Sequence, residues 1–186
     1  MICSFFTDPY RDMKTRTLLS LFLLVCLFYP HLQAQTPQQK APCSDPVYRH
    51  MDFWIGDWEV TNPKGDVVGE NRIEQILGTC VIMENWTGKG GSVGHSFNIY
   101  NRVTERWEQT WVDNGGNVFY FHGNWDEEKG ELAYFSETKT AKGVPVLYRM
   151  VFTPQEDGTV KQLWEASVDT GREWNTLFNG TYRKKK

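Results

Sequence analysis

The chain has 186 residues, a formal net charge of −3 and 15% aromatic residues, eight of them tryptophan. That length suits one domain behind a leader. The charge leaves no basic face for nucleic acid, and Lys184-Lys185-Lys186 reads as a solvated terminus.

Lys14 and Arg16 precede an apolar run, Leu18 to Tyr29, that ends near Gln33-Ala34. A basic start, a short apolar core and a small residue at the end describe a secretory signal peptide. Residues 1–34 are therefore expected to be a leader cut after Ala34, and Met13 opens it more naturally than Met1. The run falls short of the ~20 residues a spanning helix needs, so no membrane span is expected. A lipoprotein site at Leu23-Leu24-Val25-Cys26 is disfavoured by the bulky Val25 before the cysteine. The expected location is outside the cytoplasm, periplasmic or secreted. Residues 35–46, "QTPQQKAPCSDP", are polar and proline-rich and read as a linker, leaving 47–186 as the domain. Cys43 and Cys80 remain after cleavage; in an exported chain a lone pair forms a disulfide, the alternative being two buried thiols.

In "DFWIGDWEV", Asp52 to Val60, the spacing of Trp54 and Trp58 fits one side of a helical turn, which Gly56 can end. From Trp58 the text alternates apolar and polar as a half-buried strand does. Strands are predicted at 58–61, 67–77, 80–87, 94–101, 106–113, 118–125, 131–138, 145–153, 160–167 and 174–183. Most separators, such as "NPKGD", "GKGGSV", "NGG" and "DEEKG", combine glycine or proline with Asn or Asp, as hairpins do. No stretch after residue 60 keeps helical periodicity over three turns. An antiparallel meander of this length hides its edges best by closing. The expected fold is all-β: one up-and-down barrel of about ten strands with a short N-terminal helix.

Gly56-Asp57-Trp58 is a G-x-W after a short helix and at the first strand. Together with "NRIEQILGTCVIMENW", "FNIYN", "WEQTWVDNGGN", "YRMVFTPQEDGTVKQLWEASVDTGREW" and "FNGTYR", it resembles an uncharacterised bacterial family of exported lipocalin-like (calycin-type) domains, over about Cys43 to Arg183. The resemblance implies a barrel but no established activity. It also implies an arginine of the last strand stacked on the G-x-W tryptophan, with Arg183 as the candidate. Related small haem barrels of the nitrobindin type hold iron through a histidine near the last strand; "WNTLFNGTYR" has none. His50, His95 and His122 lie at neither i,i+2 nor i,i+4 spacing, so no metal and no cofactor are expected.

Period-two alternation puts Trp107, Gln109 and Trp111 on one face, and likewise Glu84 with Trp86, Gln162 with Trp164, and Ser96, Asn98 and Tyr100. If these faces point inward they form an aromatic-walled cavity with a few polar groups, the usual make-up of a ligand pocket. If they point outward, or satisfy one another, the barrel is packed. The candidate ligand-binding residues are Glu84, Trp86, Asn98, Gln109, Trp111, Arg149, Gln162 and Trp164. Arg149 turned inward would need a carboxylate such as Glu84 or Glu165; turned outward it is a surface charge. The glycine-rich Gly88 to Gly94 lacks the order of a phosphate loop and reads as a mobile hairpin, a candidate lid over the mouth.

Three functions fit this reading. The leading one is a non-enzymatic barrel binding a small, partly apolar molecule. The second is an isomerase, cyclase or lyase in the same cavity, with Glu84 as general base and Arg149 orienting the substrate. The third is a packed structural envelope protein without a ligand.

Overall fold

The computed structural model describes residues 40–186, so the signal-peptide expectation and most of the linker lie outside the described residues. Ten antiparallel strands follow in chain order: β1 (Gly56–Thr61), β2 (Val67–Ile76), β3 (Val81–Gly88), β4 (Val93–Asn101), β5 (Arg106–Asp113), β6 (Val118–Asp126), β7 (Glu131–Lys139), β8 (Pro145–Pro154), β9 (Val160–Ser167) and β10 (Asn175–Lys184). Each strand pairs with its sequence neighbours, and β1 pairs with β10 to close the barrel. The expected all-β barrel of ten strands is the observed fold. Among the described residues no helix is long and apolar enough to cross a membrane.

Two 3-10 turns, Pro46–Arg49 and Asp52–Trp54, stand where one helical turn was expected. Trp58 does not share a helix with Trp54. It lies in β1, and its indole Nε1 donates to the Trp54 carbonyl at 2.7 Å. The spacing of four is thus used across a bend rather than along a helix. Gly56, at φ 141°, makes that bend, in a region that disfavours a side chain.

This N-terminal segment plugs one end of the barrel. Trp54 packs on Phe152 with ring centroids 4.7 Å apart, and His50 and Phe53 each lie 5.8 Å from Trp125. Cys43 and Cys80 form a disulfide, Cα atoms 5.1 Å apart, that ties the plug to the β2–β3 turn. Arg49 Nη2 reinforces the tie by donating to the Thr79 carbonyl at 2.7 Å. Met51 and Trp54 of the plug pack with Trp58, Val60, Ile73, Trp107, Leu132, Tyr134, Phe152 and Tyr182 of the barrel in a close-packed core.

One cross-closure contact differs from expectation. The register sets Trp58 opposite Lys184 and Glu59 opposite Arg183. Parity therefore turns Arg183 outward, and the cation over Trp58 is Lys184, its Nζ 5.3 Å from the ring centroid. The Arg183 stack does not form.

Candidate cavity at the open end

The barrel interior changes character away from the plug. On β2 to β5 a middle layer of inward positions, Asn71, Glu84, Ser96, Asn98 and Gln109, is polar and hydrogen-bonds sideways. Glu84 Oε1 accepts from Asn71 Nδ2 at 2.7 Å, and Glu84 Oε2 accepts from Ser96 Oγ at 2.7 Å. Asn98 Nδ2 donates to Ser96 Oγ at 3.0 Å, and Gln109 Nε2 donates to Asn98 Oδ1 at 2.9 Å. Tyr134 Oη donates to the same Asn98 oxygen at 3.1 Å. Strand register makes this ladder possible, because Glu84 faces Ser96 and Asn98 faces Gln109 directly across neighbouring strands. From the far wall, Tyr182 Oη donates to Gln162 Oε1.

Above this floor lies a cavity of about 260 Å³, walled by Trp86, Trp111, Trp164, Phe121 and Phe178 with Glu84, Gln109 and Gln162 among them. Two strand glycines make room for the indoles. A Cβ on Gly69 would lie 2.5 Å from Trp86 Cη2, and one on Gly94 would lie 2.3 Å from Trp111 Cζ2. At the mouth, Trp86 Nε1 donates to Ser92 Oγ at 3.1 Å and Trp111 Nε1 to Asp113 Oδ2 at 3.2 Å. The indole N–H of Trp164 is buried without a partner.

The electrostatics centre on Glu84. Burial pushes its carboxyl up to about 7, against the downward pull of the Ser96 and Asn71 hydrogen bonds. Near neutral pH it is thus shared between acid and carboxylate. Asp113 at the rim behaves oppositely. Desolvation raises its carboxyl, but hydrogen bonds from the Asn117 backbone and side chain, the Trp111 indole and the Gly115 backbone outweigh this, leaving it lowered.

A family model described as "Protein of unknown function (DUF1579)" matches residues 51–184. The chain belongs to this family. No curated protein matches it. Family membership spans the barrel strands and leaves the activity to be argued from the cavity.

Six of the residues singled out in the sequence line this DUF1579 cavity together: Glu84, Trp86, Gln109, Trp111, Gln162 and Trp164. Asn98 lies one layer deeper, fully buried, holding Gln109 rather than meeting the void. Arg149, counted among the ligand-binding candidates, does not line the cavity, and of its two placements the outward one is observed. Tyr148, Met150 and Phe152 take the inward positions of β8, which turns Arg149 outside. There its Nε donates to Glu165 Oε2 at 2.6 Å, and its guanidinium lies 4.3 Å from the Trp174 ring centroid. It borders an outer concavity of about 680 Å³ whose one aromatic lining residue is Phe135. That wall offers an apolar ligand far less than the interior does.

Sequence reasoning missed Asn71, Ser92, Asp113, Met150, Phe178 and Tyr182. Parity on β2 and β10 was the available signal for Asn71 and Tyr182, and the interior strand glycines were the signal for the seated indoles. The glycine-rich hairpin does sit at the mouth, but it is pinned rather than hinged. Asn114 Nδ2 donates to the Gly91 carbonyl at 2.9 Å, and Lys89 N to the Val68 carbonyl at 2.9 Å. Among the described residues no group of three or more His, Cys, Asp or Glu side chains is placed to hold a metal ion.

Proposed function

We propose that this DUF1579 barrel is an exported, lipocalin-like bacterial protein that binds a small, partly apolar molecule in its open-end cavity. The carrying observation is the cavity itself: six aromatic rings and five other polar side chains, Glu84, Ser92, Gln109, Asp113 and Gln162, line a space of about 260 Å³. Aromatic walls supply apolar area, and a few fixed polar groups set orientation. The binding residues are Glu84, Trp86, Gln109, Trp111, Gln162 and Trp164, with Asn98 positioning Gln109. Export rests on the signal-like residues 1–34, and the disulfide is consistent with it. The net charge of −3 argues against a nucleic-acid partner. Native mass spectrometry of the protein purified from its own host tests the reading. A copurifying small molecule that is lost in Trp111→Ala supports it; an unliganded protein in repeated preparations, together with no binding across a fragment set, refutes it.

A second reading is favoured by one observation. A carboxyl poised at about 7 and lining a cavity is suited to general acid–base work. With Arg149 outside, such an enzyme would act through Glu84 with Gln109 and Gln162 as orienting groups. Turnover abolished in Glu84→Gln with binding retained would select this reading over simple binding.

A further inference from the structure

The charge of the cavity points to the kind of molecule it holds. Its lining carries two carboxyls, Glu84 on the floor and Asp113 at the rim, and the Tyr182 hydroxyl, with no Lys, Arg or His among the lining residues. Lys64, Lys89, Lys142 and Arg172 of the mouth hairpins are exposed and lie outside the lining. The ionisable groups nearest Glu84 from the other walls are the hydroxyls of Tyr134 and Tyr182, both pushed up by burial and then by the Glu84 charge. Among the described residues no buried cation answers Glu84.

Resting on the small-molecule reading above, we infer that the cavity is a receptor for a small organic cation of the methylated-ammonium class, held by the faces of Trp86, Trp111 and Trp164 with Glu84 beneath as counter-charge. Indole rings present a negative face to a cation, and the attraction strengthens in a desolvated site. An anionic ligand would meet two carboxyls and no cation, and so is excluded by the same lining. The size also fits: a void of about 150 Å³ holds benzene, and this one is about 260 Å³. Entry of a cation favours the carboxylate form of Glu84, so binding near neutral pH releases a proton.

The test uses three probes of matched shape on the mature wild-type protein: choline, 3,3-dimethylbutan-1-ol and 3,3-dimethylbutanoate, followed by calorimetry and tryptophan fluorescence. Choline is expected to bind at least about tenfold tighter than the alcohol, and the carboxylate weakest. Choline affinity should rise with pH through about 7, where Glu84 ionises, and this rise should be absent in Glu84→Gln. Alcohol binding equal to or tighter than choline overturns the cation inference while leaving small-molecule binding intact. Binding of none of the three also overturns it, and the host-purified mass spectrum then decides the broader reading separately. The probe ranking needs no variant, so it stands even if Glu84→Gln fails to fold.

Discussion

The two halves of the barrel interior use the same residue types to opposite ends. Below, Trp54, Trp58 and Trp107 are at most 1% exposed and surrounded by aliphatic and aromatic neighbours. Above, Trp86, Trp111 and Trp164 are only partly buried and face a void. The plug accounts for the difference, because it fills one end while, among the described residues, the other end is rimmed by hairpins. The lesson is that an indole on an inward strand face is core or pocket wall according to what closes its end of the barrel. The sharpest way to break this contrast is truncation. Trp54→Ala should cost ~3–5 kcal/mol of stability, as for a large aromatic removed from a packed core. Trp111→Ala should cost much less and weaken ligand binding instead. Equal losses in urea denaturation would mean the upper half is packed too.

The plug itself depends on its bridge. Cys43 and Cys80 close a loop of 37 residues, for which the chain-entropy model gives about 4 kcal/mol, with measured values often lower. Cys43→Ser with Cys80→Ser should lower the urea midpoint accordingly and raise exchange at the backbone amides of the plug first. If the midpoint falls by less than a tenth of what Trp54→Ala produces, the plug is held by its aromatic contacts rather than by the bridge.

Glu84 sits at the boundary between the halves, and its burial makes stability fall with pH. Its folded value, about 7, lies above the ordinary 4.5 of a free glutamate. Between those values the folded state holds the proton and the unfolded state has lost it. The contribution is therefore complete below about pH 4.5 and lost as pH rises through about 7. The loss amounts to roughly 3 kcal/mol at 1.36 kcal/mol per unit. Glu84→Gln should be more stable than wild type at pH 8 and nearly equal to it at pH 5. Identical pH profiles for the two proteins would place Glu84 in water, and the floor of the cavity with it.

These contrasts show which parts of the molecule were readable in advance. All ten strands were legible, each within two residues at its ends, because hairpin chemistry is local and the turns advertise it. The pairing of Glu84 with Trp86, of Gln109 with Trp111 and of Gln162 with Trp164 on shared faces was legible for the same reason: period two needs no partner strand. Which face of β8 points inward was not, since Leu147 and Val151 flank Arg149 on the outer wall as apolar residues would inside. The outer wall elsewhere carries Phe97, Ile99 and Phe135, so hydrophobicity alone does not mark the inside of this barrel. Depth was also hidden. That Asn98 lies under the void while Gln109 reaches it follows from register and from the plug, neither of which period-two patterning encodes.

The smallest effect concerns the seam where the barrel closes. Trp58 is fully buried from the interior side, yet Lys184 of β10 reaches its ring, with the ammonium 5.3 Å from the centroid. The lysine stem also passes close to Gly56, with Cε 3.5 Å from where a Cβ would stand. Two contributions are therefore combined: the charge over the indole and the methylene stem packed along the bend. Lys184→Met keeps the stem and removes the charge, whereas Lys184→Ala removes both. The alanine variant should lose about 1 kcal/mol and the methionine variant roughly half of that, the charge part shrinking at high salt. Arg183→Ala should change stability by less than about 0.5 kcal/mol, because Arg183 points outward beside Glu59. Urea denaturation of the three variants at low and high salt separates these cases. A larger loss in Arg183→Ala than in Lys184→Ala would mean that the seam is shifted by one residue, which would turn every side chain of β10 to the opposite face and take Tyr182 out of the core.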